Sequence, residues 1–265
     1  MNRIATAFAR SKAERRPALI AYVCAGDPSL EATARVVPQL AQAGADLIEL
    51  GIPFSDPIAD GPTIQAAAQR ALEAGTTPAN VLDLVAALRQ GGLEAPLLLM
   101  TYLNPILSLG LEDFFRRAQA AQVDGLLVPD LPFGEHEPIK ELATRHQIAL
   151  VLFAGPNTER EKLARIGRET QGFLYFLSVT GVTGARGTLP PELAGQLAAA
   201  RATSRAPVAV GFGVSTPAHA RALASQADAI VVGSALVNEL HRSGGDPAKP
   251  AELVRSLRAA LQGSA

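Results

Sequence analysis

Four acidic or hydroxyl side chains precede Gly61 in the segment that reads LIELGIPFSDPIADGPTIQ from residue 47 to 65: Glu49, Ser55, Asp56 and Asp60. Glu49 alternates with Ile48 and Leu50. Its carboxyl group therefore points into the centre of the fold if those two residues face a layer of helices. Burial there raises the pKa of a carboxyl group, which suits a side chain that donates and accepts a proton near neutral pH. We predict a catalytic role for Glu49.

Asp60 lies just before Gly61 and Pro62, on the loop after this apolar run. A helix that begins near Pro62 would explain it as a capping residue, because aspartate is favoured at the N-cap and proline at the first helical position. The functional alternative is a second catalytic carboxylate in surroundings unlike those of Glu49. Two carboxyl groups in different environments can act as an acid and base pair, and this is our hypothesis for the segment.

Three glycine-rich segments lie in the second half of the chain, at residues 178–187, 210–215 and 232–237. Each follows an apolar run, and the last two lead into helical patterns. Backbone N–H groups at the start of a helix bind phosphate, and Ser234 adds a hydroxyl group. Tight turns alone would also explain the glycines at positions 211, 213 and 233. Two successive glycine loops favour a phosphate site and hence a phosphorylated substrate.

Several apolar side chains near the ends of the runs suit a flat aromatic group, although core packing explains each of them equally well. They are Tyr22, Met100, Leu127, Tyr175 and Val231. The four histidines, His136, His146, His219 and His241, have no metal-ligand spacing, and we interpret them as surface residues. The sequence therefore predicts no metal site.

These side chains must be positioned by an alternation of strands and helices. Helical patterns lie between the apolar runs, at residues 30–42, 81–89, 111–122, 139–146 and 218–224, with further helices in the first 16 residues and in 244–263. Eight apolar runs occupy residues 18–23, 46–50, 96–100, 125–128, 148–153, 173–177, 207–210 and 229–232. This pattern predicts an α/β fold, a single (β/α)8 TIM barrel with an extra N-terminal helix, and the alternative is an open doubly wound sheet. In such a barrel, chemistry is expected at the carboxyl ends of the strands.

Composition limits the other possibilities. A chain of 265 residues with 48% hydrophobic residues fits one barrel domain over residues 1–265. A formal net charge of −1 gives no field for holding nucleic acid. No secretory signal or apolar run of membrane-spanning length is present, and the single cysteine, Cys24, requires no oxidising compartment. We therefore expect a cytoplasmic protein.

Five motifs resemble those of one enzyme family: AGDPS at 25–29, PFSDPIADGPTIQ at 53–65, VPDLP at 128–132, GVTGARG at 181–187 and GFGVS at 211–215. In this order they resemble the tryptophan synthase alpha chain family, from about residue 4 to 240. The long second motif is the most specific, because other phosphate-binding barrels do not share it. The resemblance implies a lyase that splits indole-3-glycerol phosphate into indole and D-glyceraldehyde 3-phosphate by a retro-aldol cleavage.

The resemblance also implies the roles of individual residues. Glu49 would shuttle protons, and Asp60 would accept a hydrogen bond from the indole N–H and stabilise the positive charge that develops on the ring. The substrate phosphate would be held largely by backbone N–H groups. The matching phosphate positions are Gly184, Phe212, Gly213, Gly233 and Ser234, and Tyr175 and Thr183 match pocket and lid positions. Residues 178–191 would form a mobile lid that excludes water.

The family further implies a beta chain that holds pyridoxal phosphate and receives the indole, in an alpha2beta2 tetramer, while this chain itself needs no cofactor. The contact would involve the loop at 53–60, with Pro53, Asp56, Asn104 and Pro132 as interface residues. The chain departs from many family members at two positions of the first strand. Tyr22 stands where phenylalanine is usual, and Cys24 where threonine is usual.

Other functions remain open on the sequence. The glycine loops alone also allow a sugar-phosphate isomerase or an aldolase, but the four lysines at positions 12, 140, 162 and 249 lie in helical or polar segments, so a strand-end Schiff-base lysine is missing. A non-catalytic barrel subunit would be expected to lack Glu49 or Asp60. A stand-alone lyase that releases free indole would keep every catalytic residue.

Overall fold

A computed structural model describes residues 2–177, 191–211 and 213–262 of the chain. Eight parallel strands close into a barrel in sequence order. They are β1 (Ala18–Cys24), β2 (Leu47–Gly51), β3 (Leu97–Met100), β4 (Gly125–Leu127), β5 (Ala149–Ala154), β6 (Leu174–Leu177), β7 (Val208–Gly211) and β8 (Ala229–Val232). Every predicted strand is present within one residue at either end. The closed order confirms the barrel, and the open-sheet alternative is wrong.

Twelve helices occur in the described ranges and surround the strands. They are α1 (Arg3–Ala13), α2 (Leu30–Gln42), α3 (Pro62–Glu73), α4 (Pro78–Gln90), α5 (Leu103–Leu109), α6 (Leu111–Ala120), α7 (Glu137–Arg145), α8 (Arg160–Glu169), α9 (Pro191–Thr203), α10 (Pro217–Leu223), α11 (Ser234–Arg242) and α12 (Ala248–Ala260). The extra N-terminal helix is therefore confirmed. None of the helices in the described ranges is both long and apolar enough to cross a lipid bilayer.

Alternation along the strands divides the apolar residues between two packed layers. Ile48 and Leu50 of β2 belong to the larger layer, between the strands and the surrounding helices. Leu47 belongs to the smaller layer inside the barrel. Successive side chains of a strand point to opposite faces, so Glu49 shares the inner face with Leu47. The predicted inward direction of the Glu49 side chain follows from this arrangement.

Helix α1 closes the end of the barrel at which the strands begin. Its residues Ile4, Ala7 and Phe8 pack in the inner layer, and the Phe8 and Phe173 rings lie 5.8 Å apart between centroids. Asn2 caps the helix, because its side chain accepts a hydrogen bond from the Ala5 N–H. Because apolar side chains fill this end, we expect a ligand to enter the barrel from the opposite end.

Side-chain capping marks where three helices begin at the top of the barrel. Ser29 accepts a hydrogen bond from Ala32 N, and Thr216 accepts one from His219 N, so both predicted N-caps are present. Thr77 forms a capping box with Asn80 at the start of α4. These short-range hydrogen bonds fix the direction in which each helix leaves the loop at the top of the barrel.

Candidate active site

Glu49 lies in β2, paired with Tyr22 of β1 on one side and Leu98 of β3 on the other. Its side chain is fully buried, and neither Oε1 nor Oε2 has a hydrogen-bond partner in the described structure. A buried polar group without a partner is costly and rare in folded proteins, so its presence needs an explanation. The arrangement leaves both oxygen atoms available for a ligand in the barrel.

The surroundings of Glu49 favour its protonated form. Burial raises the pKa of its carboxyl group from 4.5 to about 8. Removal from water disfavours the charged carboxylate, and among the described residues no cation compensates for this effect. Near neutral pH the group therefore carries a proton that it can donate, and its pKa is close enough to neutrality for it to take a proton back.

Asp60 lies on the loop between β2 and α3, and it is not a helix cap. The N-cap of α3 is Gly61, with no side-chain hydrogen bond, so the capping interpretation of Asp60 is wrong. The Tyr102 hydroxyl donates a hydrogen bond to Asp60 Oδ2 at 3.0 Å, and it accepts one from Ala59 N at 3.0 Å. The Gln65 side-chain amide donates to the Asp60 carbonyl oxygen at 2.8 Å. These contacts hold the carboxylate at the mouth of the barrel.

The two carboxyl groups differ in pKa. Burial raises the pKa of Asp60 from 3.8 to about 6, against the hydrogen bond from Tyr102, which lowers it. Asp60 is thus mostly ionised at neutral pH, whereas Glu49 is mostly protonated.

Tyr102 was not among the residues predicted from sequence. An aromatic hydroxyl two residues after the end of β3 was the available signal, but only the folded chain brings it to Asp60.

Two buried tyrosines connect the carboxyl groups to the predicted pocket. Burial raises the pKa of Tyr22, and the nearby Cys24, Asp60 and Glu49 groups raise it further. Burial also raises the pKa of Tyr175, followed by the effects of Glu49 and Asp60. Both phenols therefore lie within electrostatic reach of both carboxyl groups, which shows that these four side chains converge on one region.

The remaining predicted pocket residues join the same region. Tyr22 packs in a cluster under α3 and α11, while Leu127, Tyr175 and Val231 pack in the inner layer of the barrel. Met100, which is partly buried, packs against both clusters. The wall that these residues form is apolar except for two hydroxyl groups, so it suits an aromatic ring.

Glycine provides the space for those two hydroxyl groups. A Cβ atom at Gly51 would lie 2.1 Å from the Tyr22 hydroxyl oxygen, and one at Gly211 would lie 2.7 Å from the Tyr175 hydroxyl oxygen. Real Cβ atoms do not approach so closely. Gly211 is therefore required for packing against Tyr175. From the sequence, we had interpreted this glycine as part of a tight turn or of a phosphate site.

Cys24, at the end of β1, lies beside the same region. Cys24 is buried, and burial raises the pKa of its thiol, with the Asp27 carboxylate as the next cause. Its sulfur lies 4.0 Å from the Ala25 carbonyl oxygen, a weak contact. Asp27 itself is held by two hydrogen bonds from Arg70, at 2.8 and 2.7 Å. The Arg70 guanidinium thus ties α3 to the end of β1 and supports the loop that carries Asp60.

Part of the predicted phosphate site is described. Gly213 is exposed and has a φ of +60°, a conformation that favours glycine in any tight turn. Gly233 is the N-cap of α11 with a φ of −117°, and a Cβ atom there would meet only ordinary contacts of the Tyr22 ring, at 3.5 Å or more. Ser234 is the first residue of α11. Thr183, Gly184 and Phe212 lie outside the described residues, as does nearly all of the 178–191 segment.

The predicted interface residues lie around the mouth of the barrel. Asp56, Asn104 and Pro132 are exposed, whereas Pro53 is buried and so supports the loop from within. Two large apolar residues that sequence reasoning missed lie in the same segments. Ile58 is 82% exposed and Leu107 is 48% exposed. Exposed apolar side chains are a signal for partner binding, but sequence alone did not show which side chains were exposed.

The expectation of surface histidines is wrong for His136, which is only 2% exposed. Its Nδ1 atom accepts a hydrogen bond from Gly134 N at 3.2 Å, Nε2 lies 3.1 Å from a Glu169 carboxylate oxygen, and the ring stacks on Phe133. His136, Glu137 and Glu169 have the spacing of metal ligands. However, the Lys140 ammonium lies 3.2 Å from Glu137 and 3.7 Å from Glu169. This lysine supplies the positive charge between the two carboxylates.

Comparisons with known proteins agree with this geometry. The family model described as tryptophan synthase alpha chain matches residues 8–263. The tryptophan synthase alpha chain of a Caulobacter species is 49% identical over 239 residues, covering 90% of this chain and 87% of the relative, and that of Geobacter sulfurreducens is 47% identical over 242 residues, covering 91% of each. The crystal structure of tryptophan synthase subunit alpha from Legionella pneumophila superposes with a TM-score of 0.90 at 37% identity, covering 98% of each chain. The chain therefore belongs to the tryptophan synthase alpha chain family.

Proposed function

We propose that Glu49 and Asp60 carry out the carbon–carbon cleavage that this chain catalyses. As a member of its family, the chain is a lyase that converts indole-3-glycerol phosphate to indole and D-glyceraldehyde 3-phosphate in tryptophan biosynthesis. The observation that carries the residue assignment is the Glu49 carboxyl group, fully buried in the barrel with neither oxygen hydrogen bonded in the described structure.

Glu49 acts as both acid and base in this proposal. Its proton goes to the indole ring carbon that bears the glycerol side chain, which gives a positively charged indolenine. The resulting carboxylate then helps to remove the proton of the neighbouring side-chain hydroxyl. As that O–H bond breaks, a carbonyl forms, the carbon–carbon bond breaks, and its electron pair restores the aromatic ring. A pKa of about 8 suits a group that must perform both steps.

Asp60 stabilises the charged intermediate in this proposal. With a pKa of about 6, it is ionised when Glu49 is still protonated. Its carboxylate would accept the indole N–H and offset the positive charge of the indolenine. The Tyr102 hydroxyl keeps the carboxylate in place before the substrate arrives, so little reorganisation is needed during the reaction.

The substrate would lie across the mouth of the barrel. We place its indole ring against Tyr22, Met100, Leu127, Tyr175 and Val231, which surround the carboxyl groups. We assign the phosphate to the start of α11, at Gly233 and Ser234, together with Gly213, Gly184 and Phe212. Gly233 supports this assignment, because neither its φ nor the space around it among the described residues calls for glycine. Thr183 and the 178–191 segment remain the proposed lid.

The partner in this proposal is a tryptophan synthase beta chain, which would carry the pyridoxal phosphate and receive the indole, in an alpha2beta2 tetramer. The exposed Asp56, Asn104 and Pro132 would contact it, with Ile58 and Leu107 as apolar anchors. All five lie on loops or helices near the mouth of the barrel, where indole would leave. A few well-packed side chains at the centre of an interface contribute most of its binding energy.

Three further proposals complete the functional assignment. Residues 1–265 form one domain, supported by eight strands that share one closed sheet. The alpha reaction proceeds with the side chains of this chain and needs no cofactor in it, supported by the two carboxyl groups of unlike pKa. The protein acts in the cytoplasm, supported by a composition that requires neither secretion nor disulfides.

The residue assignment is tested by measuring the cleavage of indole-3-glycerol phosphate with and without a beta chain. We expect weak activity of the chain alone, a strong increase with the partner, and loss of both activities in Glu49→Gln and Asp60→Asn. Glu161→Gln, an exposed position on α8, is the matched control and should behave as the wild type. Absence of cleavage under both conditions would instead favour a non-catalytic subunit, and full activity without the partner would favour a stand-alone lyase.

The interface is tested by Ile58→Ser, with Ile58→Val as the matched control that keeps an apolar side chain. We expect the serine variant to bind a beta chain about tenfold more weakly, because a central apolar anchor contributes about 1 to 2 kcal/mol. Its basal activity without the partner should be unchanged. Equal affinity of the wild type and the serine variant, measured by calorimetry, would place the contact elsewhere.

A further inference from the structure

A cleft of about 680 Å³ lies at the opposite end of the barrel from the active site. Its walls come from the end of α1, the start of β1, the segment between α9 and β7, and the segment between α10 and β8. Part of the wall is apolar, with Phe8, Pro17, Ala206, Pro207 and Ala227. The volume is in the range that holds small organic molecules.

Positive charge is concentrated around this cleft. Five basic residues line it: Lys12, Arg15, Arg16, Arg201 and Arg205. Two of them are already paired, because Arg16 bonds Asp46 at 2.6 and 2.8 Å and Arg201 bonds Asp228 at 3.0 Å. Asp228, the only carboxylate among the lining residues, also accepts a hydrogen bond from Val208 N. The Asp228 carboxylate is thus already paired and does not neutralise the other basic residues.

The other three cations have no partner in the part of the chain that the structure describes. Lys12, Arg15 and Arg205 are exposed, and their side chains have neither an ion pair nor a hydrogen bond within residues 2–177, 191–211 and 213–262. The chain as a whole carries a formal net charge of −1, so a basic surface overall does not account for the cluster. Like charges around one cleft repel each other, and a bound anion relieves that repulsion.

We propose that this cleft binds a small phosphate monoester that carries an apolar group. The three free cations would hold the phosphate, and the apolar wall near Phe8 and Pro207 would cover the rest of the molecule. Arginine is well suited to this contact, because its planar guanidinium matches the geometry of phosphate oxygens. The site is separate from the substrate site and does not depend on the proposed roles of Glu49 and Asp60.

Phenyl phosphate is a suitable probe, followed residue by residue through backbone amide chemical shifts in NMR titrations of the full chain. Arg15→Gly and Arg205→Gln each remove one of the free charges. Arg15 has a φ of +52°, a conformation that glycine adopts without strain, so this variant should fold at least as well as the wild type. Arg255→Gln removes an exposed charge that does not line the cleft and serves as the matched control.

We expect one set of shifts at residues 8–17 and 204–207, separate from any set at the mouth of the barrel. Each single variant should weaken the first set about threefold, as expected for one exposed ionic contact, and the double variant about tenfold. The Arg255→Gln variant should bind as the wild type, and added salt should weaken binding. Shifts only at the mouth of the barrel, or equal affinity in the double variant, would overturn the proposal.

Discussion

Asp46 and Glu49 are buried carboxyl groups towards opposite ends of the barrel, and their surroundings differ sharply. At the end where strands begin, Asp46 accepts hydrogen bonds from Arg10, Arg16 and Leu19 N, and Asp124 accepts them from Arg3, Arg89 and Leu97 N. At the end where strands finish, Glu49 has no partner at all in the described structure. Carboxylates thus lie at both ends of the barrel, and Arg70 satisfies Asp27 even at the end where strands finish, but Glu49 has no partner in the described structure.

The pKa values follow this difference. Hydrogen bonds and the charge of Arg16 hold the pKa of Asp46 below its ordinary value despite burial, whereas burial without a partner raises the pKa of Glu49 to about 8. The first arrangement favours an ionised group that links strands and arginines. The second keeps a proton available at the cost of stability. The comparison therefore separates a stabilising carboxylate, Asp46, from a carboxyl group suited to reaction, Glu49.

The strongest test replaces the unpaired group. Glu49→Gln should lower kcat by a factor of about 10²–10⁴, because an amide cannot donate and recover a proton. The far-ultraviolet circular dichroism spectrum should stay that of the wild type. An activity loss accompanied by an equal loss of folded protein would make Glu49 a structural residue like Asp46.

The second test removes the charge of Asp46, the carboxylate that is paired with arginine. Asp46→Asn leaves the buried Arg16 guanidinium with only the half-exposed Glu14 as a charge partner, so we expect the free energy of unfolding to fall by about 3 kcal/mol. The activity per folded molecule should be retained. Asp113→Asn, which breaks an exposed pair with Arg116, is the matched control and should cost at most about 1 kcal/mol. Denaturant titration measures both, and equal effects would remove the distinction between buried and exposed pairs.

Glu49 should also change how stability depends on pH. Its folded-state pKa of about 8 lies above the ordinary value of 4.5, so the unfolded chain releases this proton first as the pH rises. The protonated Glu49 therefore contributes to the free energy of unfolding below about pH 4.5. This contribution is lost between about pH 4.5 and about pH 8, at roughly 1 kcal/mol per pH unit. Glu49→Gln should therefore become more stable relative to the wild type from pH 5 to 8. A constant difference in unfolding free energy over that range would contradict the raised pKa.

The smallest expected effect concerns Asp60. Its carboxylate has one side-chain donor, Tyr102, and is therefore intermediate between the fully paired Asp46 and Glu49, which has no partner in the described structure. Tyr102→Phe removes the hydrogen bond that lowers the pKa of Asp60. We expect kcat/KM to fall roughly tenfold, as for one hydrogen bond to a charged group. The acidic limb of the pH profile, where Asp60 becomes protonated, should move to higher pH. An unchanged limb would show that Tyr102 does not control Asp60.

The candidate site was predicted from sequence where a local pattern was sufficient. The position of Glu49 between Ile48 and Leu50 indicated its inward direction, and the structure buries it fully. Asp60 was predicted as a catalytic residue, but its hydroxyl partner was not, because Tyr102 is 42 residues away in the chain. The exposure of Ile58 and the burial of His136 were missed for the same reason. Each depends on which segments the fold brings together.

The sequence by itself determined the alternation of strands and helices, the capping of α2 and α10, and the residues available for chemistry. These features depend on neighbours a few positions away, whose spacing is visible in the chain. Only the tertiary structure decided that Asp46 and Asp124 are paired with arginines and that Glu49 has no partner in the described structure. The partners of Asp46 and Asp124 come from distant segments, and the absence of a partner for Glu49 is equally a property of the closed barrel. Burial and pairing are set by long-range contacts, and they determine the pKa values on which the chemistry depends.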